Sequence, residues 1–116
     1  MKTTEFIEAA VSRGEQLGLH ALSGREQVVY AIAEAEAYCD IDGIDSLIHK
    51  YGRESMGLFA QAFLEIGASE IAAVLQTIAS TSGTPNENTL SNANRLITER
   101  SGYSYEEVES FVARGA

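Results

Sequence analysis

The chain has 116 residues, of which 45% are hydrophobic, a size and composition typical of one globular domain with a single core. Seventeen acidic and eight basic residues give a formal net charge of −9, which repels nucleic acid and anionic membrane surfaces. No apolar run approaches the roughly 20 residues that span a bilayer, and the N-terminal segment lacks the apolar core of a secretion signal, so we expect a cytoplasmic protein.

The first part of the chain predicts two helices. Residues 3–18 carry apolar residues at helical spacing, and Gly18 suits the C-terminal end of this helix. Its apolar stripe consists of Phe6, Ala10, Gly14 and Leu17. Its opposite side carries the acids Glu5, Glu8 and Glu15. Ser23 and Glu26 stand at capping-box spacing and predict the start of a second helix over 25–39.

Turn-forming residues divide the rest of the chain. Asp42-Gly43 ends the second helix, and a short helix is predicted over 44–50 with Asp42 as its candidate N-cap. The segments that follow are a helix over 53–66, a helix over 69–80, a loop over 81–87 and C-terminal helices over 88–114. No strand-like alternation of useful length occurs. The sequence therefore predicts an all-α fold, with residues 1–116 forming a single compact domain of about six or seven helices.

Glu36 is the first candidate for a special role, because it lies at the edge of the apolar stripe, four residues after Ile32. A carboxylate in that position needs hydrogen-bond donors. We expect the backbone amides of 42–44, at the start of the next short helix, to supply them, which makes Glu36 a structural residue. The functional alternative is a general acid or base with a raised pKa, set in a cleft.

Metal and nucleophile chemistry find little support in the sequence. Four carboxylates fall close together in the chain: Glu36, Asp40, Asp42 and Asp45. A calcium loop needs alternating ligands over roughly twelve residues and a final bidentate glutamate, but Tyr51 stands at that place. His20 and His49 lack partners at ligand spacing, and Cys39 lies on an apolar stripe as a small hydrophobic residue. We expect no metal, no cofactor and no catalytic residue.

The stretch from Glu36 to Ala68 carries a resemblance to a known family. It combines an acid on a helix, the turn Asp42-Gly43-Ile44, the pair Tyr51-Gly52, and Ile66-Gly67-Ala68. This order resembles a family of small acidic bacterial proteins, mostly of unknown function, whose best-understood relative is a DNA mimic. The resemblance covers about residues 25–80, and the family has Asn-Gly-Gly-Phe where this chain has its Asp-Gly turn. It implies structural roles for Glu36, Gly43, Gly52 and Gly67.

The resemblance implies a non-enzymatic interaction protein whose outward carboxylates occupy sites built for phosphate. Acids that are neighbours on a helix face stand about 5–6 Å apart, a spacing comparable to that of DNA phosphates. The expected partner is a basic protein, such as a DNA-binding transcription regulator, with no direct contact to nucleic acid or membrane. The candidate partner-binding residues are Glu5, Glu8, Glu15, Asp40, Asp42, Asp45, Glu54 and Glu70. The protein itself is expected to be a monomer or a homodimer.

Two other functions stay open on the residues alone. An immunity-type protein that neutralises a basic toxin would use a similar acidic face with a more apolar centre. A small enzyme would be centred on Glu36. Outward glutamates are also the ordinary solvated face of amphipathic helices, so their presence does not decide between these readings. Binding that is lost at high salt separates the interaction proteins from the enzyme.

Overall fold

The computed structural model describes residues 2–114, and within this range it contains seven α-helices and no strand. The helices are α1 (Thr3–Leu17), α2 (Gly24–Ile41), α3 (Ile44–Tyr51), α4 (Met56–Glu65), α5 (Ser69–Ser80), α6 (Glu87–Thr98) and α7 (Tyr105–Arg114). A short 3₁₀ turn over Leu19–Ala21 joins α1 to α2. The predicted all-α fold is confirmed. None of the helices in the described range is both long and apolar enough to cross a membrane.

The core is built around α2, α4 and α5. The α4 and α5 helices pack along each other, and α2 contacts α1, α3, α4 and α6. The largest side chains that are fully buried come from six elements: Leu19, Val29, Leu47, Met56, Phe59, Phe63, Ile71, Leu75, Ile78 and Ile97. Because apolar residues from successive helices meet in one cluster, the chain has a single continuous core.

The helix α4 begins three residues later than the sequence predicts. The amide of Ser55 donates to the carbonyl of Gly52 (3.2 Å) and that of Met56 to Arg53 (3.0 Å), so residues 53–55 form turns before the helix starts. The chain reverses at three glycines in the left-handed region: Gly43 (φ 93), Gly52 (φ 88) and Gly67 (φ 84). Gly43 and Gly52 flank α3, and Gly67 lies between α4 and α5.

The contact between α1 and α2 depends on Gly14. The ring of Tyr30 lies where a Cβ atom on Gly14 would stand, so any side chain there would overlap it. Leu17, predicted on the buried stripe, is 54% exposed because it is the last residue of α1. The chain turns at Gly18, and Leu19 enters the core instead.

The predicted capping box at the start of α2 is wrong. Ser23 is the N-cap residue but its side chain accepts no hydrogen bond from the helix. The Glu26 carboxylate instead forms an ion pair of 2.8 Å with Arg13 on α1. The acid that sequence spacing assigned to a local cap therefore joins two helices.

Candidate functional site

Glu36 is held by two side chains from the C-terminal part of the chain. The Tyr103 hydroxyl donates to Glu36 Oε2 at 2.5 Å, and Arg100 Nε lies 3.2 Å from the same oxygen. Tyr103 is buried between α6 and α7, with its ring edge against Phe63 at a centroid distance of 5.5 Å. Glu36 thus connects the middle of α2 to the segment that joins the last two helices.

The expectation that amides 42–44 hold Glu36 is therefore wrong. The amides of Asp42 and Gly43 both donate to the Tyr38 carbonyl, at 2.9 and 2.8 Å, and so complete the end of α2. The amide of Ile44 donates to Asn94 Oδ1 at 2.9 Å. Asp42 is not the N-cap of α3 either, since Gly43 occupies that position and offers no side chain.

The two terminal nitrogens of the Arg100 guanidinium bind Asp40. Arg100 Nη1 and Nη2 donate to the two Asp40 carboxylate oxygens at 2.9 and 2.8 Å. These hydrogen bonds hold the pKa of Asp40 below its usual value, and those to Asp40 raise the pKa of Arg100. Asp40 was predicted as a partner-binding residue, and the structure places it at the surface with both oxygens already bound. Arg100 reaches it from a backbone with φ of 53, uncommon for a residue other than glycine.

Burial favours the protonated form of two groups at this cluster, Cys39 and Tyr103. Cys39, next to Asp40 in the chain, is buried, and burial raises the pKa of its thiol to about 12. The thiol is therefore protonated at neutral pH. Burial and the nearby Glu36 carboxylate also raise the pKa of Tyr103. Across residues 2–114, no three His, Cys, Asp or Glu side chains are placed to hold a metal ion together.

Most basic side chains of the protein form hydrogen bonds or ion pairs within the chain. Seven of the eight bond to a carboxylate or a backbone carbonyl of the chain: Arg13, Arg25, Lys50, Arg53, Arg95, Arg100 and Arg114. Arg25 Nη1, for example, donates to the Val112 carbonyl at 2.6 Å and its guanidinium lies over the Phe6 ring. Three of these side chains, Arg25, Arg100 and Arg114, join segments that are distant in the sequence.

The acidic side chains are distributed in the opposite way. Five of the 17 carboxylates form ion pairs: Glu26, Glu34, Glu36, Asp40 and Glu99. The other twelve have no ion-pair partner in the described part of the chain. The negative charge of the molecule is therefore concentrated on exposed side chains that its own cations do not neutralise.

Seven of the eight predicted partner-binding acids belong to this unpaired group. We call them the acidic surface residues: Glu5, Glu8, Glu15, Asp42, Asp45, Glu54 and Glu70. All seven are exposed. The three on α1 share its outward side, and Asp42 and Asp45 flank the turn into α3. Glu54 lies in the segment before α4, and Glu70 lies in the first turn of α5.

Sequence reasoning missed three residues that hold the Glu36 cluster and the start of α3. They are Asn94, Arg100 and Tyr103, all in the C-terminal third of the chain. Their partners lie on α2 and α3, so no local spacing connects them.

Comparison with protein families gives a match to the family described as DMP19-like protein, over residues 20–113. The matched region extends beyond residues 25–80, where the sequence resemblance was recognised, and includes α6 and α7. Comparisons with curated proteins and with solved structures found no match. Since the family match covers most of the chain, the protein belongs to the DMP19-like protein family.

Proposed function

We propose that this protein is a non-enzymatic DNA mimic, whose acidic surface residues bind a basic DNA-binding protein such as a transcription regulator. Family membership supports this proposal, because the best-understood relative in the family that the sequence resembles is a DNA mimic. Arginine and lysine side chains that bind phosphate also bind carboxylates, through the same charge-assisted hydrogen bonds.

The single observation that carries the proposal is the separation of charge within the molecule. Seven of eight basic side chains are engaged by the protein's own groups, whereas twelve of 17 carboxylates have no cation beside them within residues 2–114. A surface of this kind attracts cationic proteins over a long range and repels nucleic acid. Complementary charge increases the rate of association and selects the partner.

The outward side of α1 supplies the most regular part of the acidic surface. Glu5, Glu8 and Glu15 span about 15 Å along the helix axis at about 1.5 Å per residue. One strand of DNA places about four phosphates in that length, at about 3.4 Å each. Three exposed carboxylates on one side of a helix can therefore contact a set of cations that normally follows a DNA backbone.

The contacts of Glu36, the one candidate for a general acid or base, support the non-enzymatic part of the proposal. The Glu36 carboxylate is bound by the Tyr103 hydroxyl and the Arg100 guanidinium, both of which also serve packing and helix connection. Both contacts are made to the same carboxylate oxygen, Oε2, and they tie the Glu36 side chain to the segment between α6 and α7. Glu36 is thus better suited to holding α2 in place.

The proposal is tested by capturing partners with the tagged protein from a lysate of its source organism. At low salt we expect a DNA-binding protein, identified by mass spectrometry, which is released by high salt and displaced by added duplex DNA. Changing Glu5, Glu8 and Glu15 to glutamine should reduce its recovery. The matched control changes three other exposed acids to glutamine, with the same change in net charge: Glu65, Glu106 and Glu107.

Three results would contradict the proposal. Equal loss in both triple variants would mean that net charge alone controls binding. A partner that resists high salt and ignores duplex DNA would favour the immunity-type alternative. Turnover of a substrate that stops in Glu36→Gln would favour the enzyme.

A further inference from the structure

Three side chains contact the ammonium group of Lys50 near the end of α3. The Lys50 Nζ atom lies 5.0 Å from the centre of the Tyr38 ring and 5.2 Å from the centre of the Tyr51 ring. It also donates to Glu34 Oε2 at 3.4 Å. Two aromatic rings and one carboxylate that meet at a single cation form the kind of cage that recognises cationic groups of ligands. We call Glu34, Tyr38 and Tyr51 the cation cage.

The cage is held in place by contacts that do not involve Lys50. The Tyr51 hydroxyl donates to Glu34 Oε2 at 2.7 Å, and the Tyr51 ring packs edge-to-face with the buried Phe59 at a centroid distance of 5.3 Å. Glu34 and Tyr38 stand one turn apart on α2, and Tyr38 packs against the core. The three side chains of the cage therefore keep their positions when the cation is exchanged.

Lys50 itself is held less firmly. Its side chain is 45% exposed, and its distance of 3.4 Å from Glu34 is longer than the roughly 2.7–2.9 Å of a strong charge-assisted hydrogen bond. The Glu34 side chain, in contrast, is only 14% exposed, and a carboxylate so far removed from water needs a positive partner. The side chains of Tyr38 and Glu34 also raise the pKa of Lys50, so the cage favours a charged occupant. The site thus needs a cation, and the present one is free to leave.

The cage borders the acidic surface of the protein. Tyr38 also lines a hollow of about 250 Å³ at the end of α2, together with Ala37, Ile41 and Asp42. Asp42 is one of the acidic surface residues, and the Ile41 side chain is 78% exposed. A basic partner that contacts Asp42 therefore has both an apolar side chain and the cation cage beside it.

We propose that an arginine side chain of the basic partner takes the place of Lys50 in the cation cage. A guanidinium group can stack flat on a tyrosine ring and present two N–H groups to a carboxylate at the same time, whereas an ammonium group is a compact point charge. Arginine therefore uses the rings and Glu34 more fully than Lys50 does, and Lys50 moves into solvent. The identity of the partner rests on the proposed function, but the exchange can be tested without that partner.

The test removes the competing cation of the protein itself. The probe is the capped peptide acetyl-Gly-Arg-Gly-amide, titrated into the ¹⁵N-labelled full chain and followed by NMR. The matched probe has citrulline, an uncharged isostere, in place of arginine. Lys50→Ala should bind the arginine peptide about fivefold more tightly than the wild type does, the gain expected if Lys50 fills the cage about four-fifths of the time. We expect the shifts to centre on the amides of 34–38 and 50–51, and the citrulline peptide to cause weak shifts or none.

A matched variant separates the cage from the change in net charge. Arg95→Ala also removes one positive charge and breaks an ion pair of 3.4 Å, but no aromatic ring lies among the contacts of Arg95 described above. It should bind the arginine peptide like the wild type.

Two further changes, made in the Lys50→Ala variant, remove parts of the cage. Glu34→Gln keeps an acceptor for the Tyr51 hydroxyl but loses the negative charge, and Tyr38→Leu loses one ring. Each should return the affinity to that of the wild type or below. The dispersed amide spectrum shows whether each variant is folded, and either of the two is sufficient for the test.

Each result has a definite meaning. Equal binding by Lys50→Ala and Arg95→Ala, equal binding of the citrulline peptide, or shifts centred away from the cage would overturn the inference. If Lys50→Ala gains affinity for the peptide but the lysate yields no DNA-binding protein, the cage is established and the proposed function fails. If a DNA-binding protein is captured but Lys50→Ala leaves both its binding and that of the peptide unchanged, the function stands and the cage is excluded.

Discussion

Arg100 and Asp40 are 60 residues apart in the sequence, yet their side chains meet in two parallel hydrogen bonds of 2.9 and 2.8 Å. The same guanidinium approaches Glu36 through Nε and donates to the carbonyls of Ile97 and Thr98. One side chain therefore connects the C-terminal half of α2 with the end of α6.

Arg100→Ala should lower the free energy of unfolding by about 1–2 kcal/mol, because it removes these contacts from side chains that are only partly exposed to solvent. Arg100→Lys keeps the charge but not the two parallel bonds, and we expect about half of that loss. Urea denaturation near pH 7 measures both. Arg95→Ala, which breaks an exposed i,i+4 pair, is the control and should cost about 0.5 kcal/mol or less. Equal effects at the two arginines would show that Arg100 does not hold α2.

The contribution of Asp40 to stability should depend on pH. Hydrogen bonds from Arg100 lower the pKa of Asp40 in the folded state, so the unfolded state takes up a proton more readily. The pair therefore stabilises the fold above the ordinary aspartate pKa of 3.8, and this stabilisation is lost as the pH falls below it. The stability difference between wild type and Asp40→Asn should stay constant above about pH 5 and shrink as the pH falls from there to about 2. Asp42→Asn, at an exposed neighbouring acid, serves as control. A difference that stays constant with pH would rule out this linkage.

Asn94→Ala should loosen the start of α3. It removes the acceptor of the Ile44 amide, and losing such a cap costs about 1 kcal/mol. Hydrogen exchange at the Ile44 amide should become faster, while Asn88→Ala, at an exposed asparagine of the same helix, should leave it unchanged. Unaltered protection of Ile44 in Asn94→Ala would mean that α6 does not fix α3.

Gly14→Ala should destabilise the protein even though alanine favours helix formation. The added methyl group overlaps the Tyr30 ring, and overpacking of a core contact costs about 1–3 kcal/mol, more than the gain of about 1 kcal/mol from helix propensity. Thermal unfolding should show a lower Tm for Gly14→Ala and an equal or higher one for Ser12→Ala on the exposed side of α1. A rise in Tm for both would mean that α1 shifts freely on α2.

The helices were predictable because their signals are local. Apolar spacing and the turns at Asp42-Gly43 and Gly67 set the order of the elements. The late start of α4 was not visible, because Arg53 and Ser55 fit a helix by propensity and only the turn bonds after Gly52 keep them out of it.

The partners of Glu36 were not predictable for a different reason. The backbone amides of 42–44 are the nearest donors in the sequence. Nothing in the sequence shows that the Tyr38 carbonyl and the Asn94 side chain already accept their hydrogen bonds. Its real donors, Arg100 and Tyr103, are brought in by the packing of the last two helices. Pairings over such distances in the chain are set by tertiary structure alone.

Because most basic side chains bond to groups of the protein itself, most carboxylates on the surface of the free protein have no cation beside them within the described residues. Their mutual repulsion opposes the compact state. Salt screens this repulsion. A salt concentration that dissociates the complex with a basic partner should therefore raise the Tm of the isolated protein. The partner then acts as the protein's counterion, and the molecule is at its least stable when it is alone in dilute buffer.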